Sequence, residues 1–371
     1  MSPARGTESP DAAVRPKSRP GAPSRVISGR VVRGRRGGVS LRFHGRTLLV
    51  GGTLAVVLVA VMLVTLTTGD FTLSVPEVLR ALTGQGSGAA DFIVNTLRMP
   101  RLVTALCVGA ALSVSGAILQ SLTRNALGSP DIIGFTNGSA TGALVVIVTL
   151  HGSMTQIVFG ALIGGLGTAL AVYLLVFSGG VQGFRLVVVG IGVSALLLAV
   201  NAYLITRASW QEALEAQAWL VGTLGNRTWD HAAAVGIAVA VLLPLAFLLG
   251  GRLTMVEMGD DTAMALGVNV ARTRTALLIV SVSLAAFATA VTGPIVFIAL
   301  AAPQLARKLI RSSGSGLVPA ALMGAVLLAV SDLAVQRLFT HALLPVGTAT
   351  GVIGGLYLIW LLVTESRKSR A

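Results

Sequence analysis

Acidic residues are few in this sequence, and lysine and cysteine are fewer. Among 371 residues there are 14 Asp and Glu, three lysines (Lys17, Lys308 and Lys368) and one cysteine, Cys107. One cysteine excludes an intrachain disulfide and any cysteine-rich metal centre. Four scattered histidines supply no histidine cluster either. The lysines bear on energy supply. A phosphate-binding loop ends in Gly-Lys-Ser/Thr, but where a lysine is followed by serine, at Lys17 and Lys368, Pro16 and Arg367 stand where the glycine is required. The chain therefore does not hold ATP by that motif, and no hydrolase constellation is visible. Charged residues make up only 11%, against about 25% in soluble domains.

The rest is apolar. Hydrophobic residues make up 54%, mean hydropathy is +0.84, and 44 glycines suit helices that pack closely in lipid. A membrane-spanning helix needs about 20 apolar residues. Ten stretches qualify: 48–68, 93–119, 131–150, 154–177, 185–206, 232–250, 273–292, 294–310, 317–337 and 346–364. Backbone groups in lipid must be satisfied internally, so these are read as helices. The expectation is an all-α, multi-pass cell-membrane protein with ten transmembrane helices. The run from Leu48 is too long and too late for a cleaved signal peptide.

Charge sets the orientation. With the N-terminus in the cytoplasm, segments 1–47, 121–129, 178–185, 251–274, 307–316 and 365–371 are inside and hold 22 of the 28 Lys and Arg. The outside holds six: Arg80, Arg98, Arg101, Arg207, Arg227 and Arg337. The positive-inside rule favours this arrangement, with both termini cytoplasmic. Residues 1–47 read as a basic, disordered tail, 48–364 as the membrane domain with an inner loop at 251–274, and 365–371 as a short tail. A basic tail before a first span is a topology signal, and no nucleic-acid partner is expected.

Two outer loops are long enough to fold. Residues 69–92 suit a short amphipathic helix capped by Ser74 ahead of Pro76. Residues 207–231 carry Trp210, Trp219 and Trp229, expected at the membrane–water boundary. Glycines recur at helical spacing in three rows: Gly134, Gly138, Gly142; Gly160, Gly164; and Gly347, Gly351, Gly355. Packing within the chain is the plain reading, and a face for a second subunit the other. Residues 190–195, GIGVSA, mimic a dinucleotide fingerprint but lie in an apolar helix without the strand and turn a phosphate site needs.

Asp131 and Asp332 are the carboxylates within apolar stretches. Asp332 stands near Arg337 on one helix, so a structural ion pair competes with a proton- or sodium-coupling role. Gln120, Asn137 and Asn201 are polar residues inside spans and candidates for a translocation path. The inner loop reads GRLTMVEMGDDTAMALGVNVARTR. Asp260 or Asp261 suits the start of a short helix, and Gly267 its end. Met264 and Leu266 on such a helix suit either docking of a partner or the membrane surface.

RMPR (98–101), the run ending SGAILQ at 120, RNALGSPDIIGF (124–135), EMGDDTAMALGV (257–268), GPIVFIALAAP (293–303) and LPVGTATGVIGG (344–355) resemble permease subunits of ABC importers for iron–siderophores and vitamin B12. The match runs from about 48 to 368. FRLVVVGIG (184–192) and GGLYLIWLLVTESRK (354–368) look closest to ferric-enterobactin members. The resemblance implies an ABC type II importer permease fold and no cofactor in this chain, with ATP-Mg on a partner ATPase. The implied partners are a second, paralogous permease in a heterodimer, two copies of the ATPase, and an extracytoplasmic siderophore-binding protein.

The implied cargo is a ferric siderophore, catecholate first. A vitamin B12 or haem permease and an ion-coupled secondary transporter are the alternatives. For the ATPase-coupling helix the resemblance implies Glu257, Met258, Gly259, Asp260, Asp261, Ala263, Leu266 and Gly267. For docking of the binding protein it implies Arg98, Arg101 and Arg337. The family's Asn-Pro-Leu-Ala is here Asn125-Ala126-Leu127-Gly128, its Pro-His is Pro303-Gln304, and its Glu-Leu-Pro is Leu343-Leu344-Pro345.

Overall fold

The computed structural model describes residues 30–33, 40–43, 45–176, 183–311, 315–338 and 344–368. Within the tail, β1 (Arg30–Arg33) and β2 (Ser40–Phe43) pair antiparallel with Arg30 opposite Phe43, where composition alone led to disorder. The rest of 1–44 and residues 369–371 lie outside the described residues.

From residue 45 onward the chain is helical. α1 (Gly45–Thr67) is followed by α2 (Val75–Leu82). α3 (Gly88–Asp91) continues through a π-helical segment, Phe92–Arg98, into α4 (Met99–Thr123). α5 (Phe135–Val145) is extended by π-helical Val146–Leu150. Then come α6 (Met154–Val176), α7 (Gly183–Arg207), α8 (Trp210–Val221), α9 (Trp229–Glu257) and α10 (Asp260–Ala265). α11 (Val270–Thr292), α12 (Ile298–Ile310), α13 (Leu317–Leu338) and α14 (Val346–Lys368) complete the chain.

Each of the ten apolar stretches falls on a helix, but the helices differ in length. Among the described residues seven are long and apolar enough to cross a membrane: α1, the continuous Gly88–Thr123, α6, α7, α9, α11 and α13. The stretches 131–150 and 294–310 correspond to shorter apolar or amphipathic pieces, and 346–364 lies on the 23-residue α14, whose apolar run among the described residues is Val346–Trp360. The division at 293 has a local cause. Gly293 adopts φ +76° and Phe297 φ +70°, so α11 ends at Thr292 and α12 starts only at Ile298. Irregular backbone at such depth is tolerated because protein covers it, and Ile295 is buried.

The centre of the domain is α4, packed against α13, α11 and α12. Four-fifths of the apolar window of Gly88–Thr123 is buried (83%), against 11% for α1 and 17% for α7. Small residues permit this. A Cβ on Gly116 would fall on the Ala299 carbonyl, and Gly109 and Gly324 face each other so closely that neither leaves room for one. Serine hydroxyls join the same helices: Ser113 Oγ donates to the Ala320 carbonyl at 2.6 Å, and Ser281 Oγ to the Ser115 carbonyl at 2.9 Å. Gly138 and Gly142 of α5 similarly meet Gly160 and Gly164 of α6, so these rows pack within the chain. Gly347 is pressed on the Val221 carbonyl, whereas Gly355 faces open space. GIGVSA lies inside α7.

The outer loops fold as capped helices. Glu77 Oε2 accepts from Ser74 N and Oγ, both at 2.7 Å. Ser209 and Glu212 form the equivalent box on α8. The three tryptophans do not share a boundary role. Trp210 is exposed, Trp219 is buried among Ala140, Ile147 and Ala290, and Trp229 Nε1 donates to the Asn95 carbonyl at 2.7 Å.

Candidate functional site

The inner loop builds a small rigid element. α9 ends at Glu257, Met258 caps it, and Gly259 turns the chain at φ +122° into α10. Gly267, at φ +81°, ends α10: its N–H bonds to the Met264 carbonyl and that of Val268 to the Ala263 carbonyl, each at 2.9 Å. This is the paired terminal bonding that glycine at the first residue past a helix allows. Ala263 is fully buried against Val256 and Val270, so it seats the helix from beneath. Met258, Met264 and Leu266 are each more than half exposed, and Asp261 is exposed beside them.

Asp260 does not cap α10, contrary to the expectation. Gly259 is the capping residue, and Asp260 Oδ1 instead accepts from Arg124 at 2.9 Å and Arg274 at 2.8 Å. Arg124 also donates to the Val256 carbonyl at 3.2 Å. A single carboxylate thus ties the end of α4 and the second turn of α11 to α10. With the guanidinium groups both partners of each bond are ionised, whereas a backbone N–H is neutral. Arg124 and Arg274 were not among the expected site residues. Their distance in sequence from Asp260 left no local signal.

The three outward arginines have different surroundings. Arg98 is half-buried and donates to the Leu66 carbonyl at 2.6 Å and the Phe71 carbonyl at 2.5 Å, fastening the loop after α1. Arg101 donates through Nε and Nη2 to both oxygens of Asp332, at 2.9 and 2.7 Å. Gln336 Nε2 donates to the same carboxylate at 2.7 Å. Asp332 therefore pairs with Arg101, one helix away, rather than with Arg337 on its own helix. Arg337 is exposed, and among the described residues it has no hydrogen bond or ion pair. A further outer cation, Arg227, is buried in the loop after α8 and donates to the Thr223 carbonyl at 3.3 Å; burial pushes its pKa down to about 10.

The three path candidates do not come together. Asn137 donates to Ser194 Oγ at 2.5 Å, and Asn201 Oδ1 accepts from Thr141 at 2.7 Å, so both lie in the α5–α7 seam. Gln120 is buried at the other end of the molecule's central helix, donating to the Leu300 carbonyl at 3.0 Å and accepting from Arg307. All three spend polar atoms on bonds between helices. Asp131, in the loop before α5, has a buried Oδ1 without a partner.

No group of three or more His, Cys, Asp and Glu side chains suited to a metal ion occurs among the described residues. The chain is 46% identical to the ferric enterobactin transport system permease protein FepG of Escherichia coli (strain K12), covering 82% of this chain and 92% of that one. It is 38% identical to the achromobactin transport system permease protein CbrC of Dickeya dadantii (strain 3937), covering 84% and 91%. A solved structure of a metal-chelate type ABC transporter in an inward-facing conformation superposes with a TM-score of 0.78 at 28% identity, covering 86% of this chain and 99% of that one. The FecCD transport family model matches residues 57–364, and with that extent and these relatives this multi-pass membrane protein belongs to the FecCD transport family.

Proposed function

We propose that this chain is the permease subunit of an ATP-driven importer for a ferric siderophore of the catecholate, enterobactin-like class. The observation that carries the reading is the coupling element: a two-turn helix pinned by Asp260, Arg124 and Arg274 that turns Met258, Met264 and Leu266 outward. A rigid helix with an exposed apolar face suits a groove on a partner, and a rigid one transmits force that a loose loop would absorb. The partner is a separate ATPase, present twice, that carries ATP-Mg. The names and identities of the relatives above support the importer class and the siderophore.

Ten passes, both termini inside, and pairing with a second permease complete the reading. α14 exposes Val352, Leu356 and Ile359, and α7 exposes Ile191, Leu196 and Leu198, two apolar faces that a partner permease would cover. The extracytoplasmic binding protein docks on the opposite side. There Arg337 is the one of the three expected arginines without a hydrogen bond or ion pair among the described residues and would meet a partner carboxylate, while Arg98 and Arg101 bond to the chain itself.

An ion-coupled transporter would need a carboxylate able to take and release a proton; Asp332 is committed to Arg101 and Gln336, which leaves Asp131, with its buried and unpartnered Oδ1, as the carboxylate that reading would use. The test is uptake of iron-labelled enterobactin by cells lacking the native copy of this chain. Wild type should restore uptake, and D260A/D261A/G267A should express, reach the membrane and fail. Normal uptake by the triple variant would remove the coupling role.

A further inference from the structure

The ends of α4 and α12 that the charge count places in the cytoplasm enclose a recess of about 310 Å³. Gln120, Arg124, Asn125, Gln304, Arg307 and Lys308 line it, and among the described residues no carboxylate does. Arg307 is held to Gln120, and Gln304 to the Ala126 carbonyl and the Tyr357 hydroxyl, so the walls are fixed. Lys308 is exposed at the rim, its Nζ 4.6 Å from the Trp360 ring centre and 5.7 Å from that of Tyr357. A lysine flanked by tryptophan and tyrosine at a helix end belongs at headgroup depth, where such rings collect.

We infer that this recess binds the phosphate of an anionic phospholipid headgroup. The charge count supports one bound anion. Arg124, Arg274, Arg307 and Lys308 bring four positive charges. Asp260 pairs with two of them, and Glu257 lies close enough to Arg307 to interact with it. The C-terminal ends of α4 and α12 each add about half a negative charge. Among the described residues about one positive charge is left over, the complement of one phosphodiester. Size decides against the transported chelate as occupant, because 310 Å³ is at the lower limit of pockets that enclose a drug-sized molecule, roughly 300–1,000 Å³. A glycerophosphate head is smaller. Arg124 lines the recess and also holds Asp260, so an occupant there shares a residue with the coupling helix.

The test uses the full-length protein purified in detergent and titrated with phosphatidylglycerol, phosphatidylcholine or inorganic phosphate, with binding read by native mass spectrometry. Phosphatidylglycerol should be retained at least about tenfold more tightly than phosphatidylcholine. K308Q, on an exposed side chain that threatens no packing, should weaken phosphatidylglycerol by about fivefold, the equivalent of about 1 kcal/mol per basic residue near a lipid surface. R185Q, on an inner cation outside the recess, should leave binding unchanged. Equal retention of both lipids, or equal loss in R185Q, would overturn the inference. So would inorganic phosphate binding as tightly as the lipid, which would make the ligand a free anion. A K308Q protein that keeps its lipid but loses the ATPase subunit would make the recess a protein contact instead.

Discussion

Arg101 and Asp332 face each other from α4 and α13 as a two-pronged ion pair, with the carboxylate side chain 5% exposed and the guanidinium 28%. They are 231 residues apart in sequence. Removing one partner strands the other charge in a site that water barely reaches, which costs about 3–5 kcal/mol for a fully buried pair and less here because Arg101 is partly wet. R101A and D332A are each predicted to lower the thermal unfolding midpoint of the purified protein. R101K should recover only part of the loss, since an ammonium cannot span both oxygens. A midpoint unchanged in either alanine variant would show that the pair is not structural.

Arg337 should behave in the opposite way. R337E is predicted to leave thermal stability unchanged and to weaken association with the binding protein by about fivefold or less, as befits one exposed charge worth about 0–1 kcal/mol. The remaining affinity should depend less on salt. Surface-immobilised binding protein and a salt series provide the measurement.

Gly267 holds a left-handed turn at φ +81°. A β-branched residue there faces a penalty of about 1–2 kcal/mol. Nothing crowds the position, so the cost lies in the backbone. G267V should loosen α10 without unfolding the membrane domain. Transport should fall while nucleotide hydrolysis by the assembled complex continues, and measuring both rates in the same vesicles separates uncoupling from collapse.

Gly116 is the packing counterpart. G116V would drive a side chain into the Ala299 carbonyl, a backbone atom that cannot swing away. Overpacking of this kind costs about 1–3 kcal/mol or more. The expected result is poor recovery of folded protein and a lowered unfolding midpoint. By contrast G355V, which meets open space, should leave the isolated chain unaffected and weaken only pairing with the second permease.

The outer helix α8 carries a pH response. Backbone and side-chain hydrogen bonds from Ser209 hold the Glu212 carboxyl below its ordinary value, with His151 at 2.7 Å assisting. A carboxylate whose pKa is lowered by folding adds stability above its unfolded value and loses it as pH falls through the folded one. Amide exchange over residues 209–216, corrected for intrinsic rate, should quicken below the ordinary carboxylate range. S209A should move that transition to higher pH.

Much of this molecule is written in short-range patterns. Ser74 with Glu77, and Gly267 after a short apolar run, announce helix ends because the atoms involved lie within four residues. The apolar stretches locate the helices for the same reason. What the sequence conceals is tertiary. Asp260 has the right place to cap α10, yet two arginines brought in from α4 and α11 take its carboxylate. Trp219 looks like a boundary tryptophan and is buried in a cluster with Ala140, Ile147 and Ala290, residues remote in sequence. The glycines at 138, 142, 160 and 164 declare close packing but not their partners. The division at 293 is legible as the boundary between the stretches 273–292 and 294–310, but the start of α12 only at Ile298 is not, since irregular backbone buried by protein can be as apolar as a helix.

The central claim is that this chain moves cargo only when another protein hydrolyses nucleotide at its inner face. Proteoliposomes containing the permease pair and loaded binding protein, with and without the ATPase and ATP-Mg, test it most directly. The account predicts accumulation of iron-labelled enterobactin only when both are supplied. Accumulation under a proton gradient with the ATPase left out would contradict it.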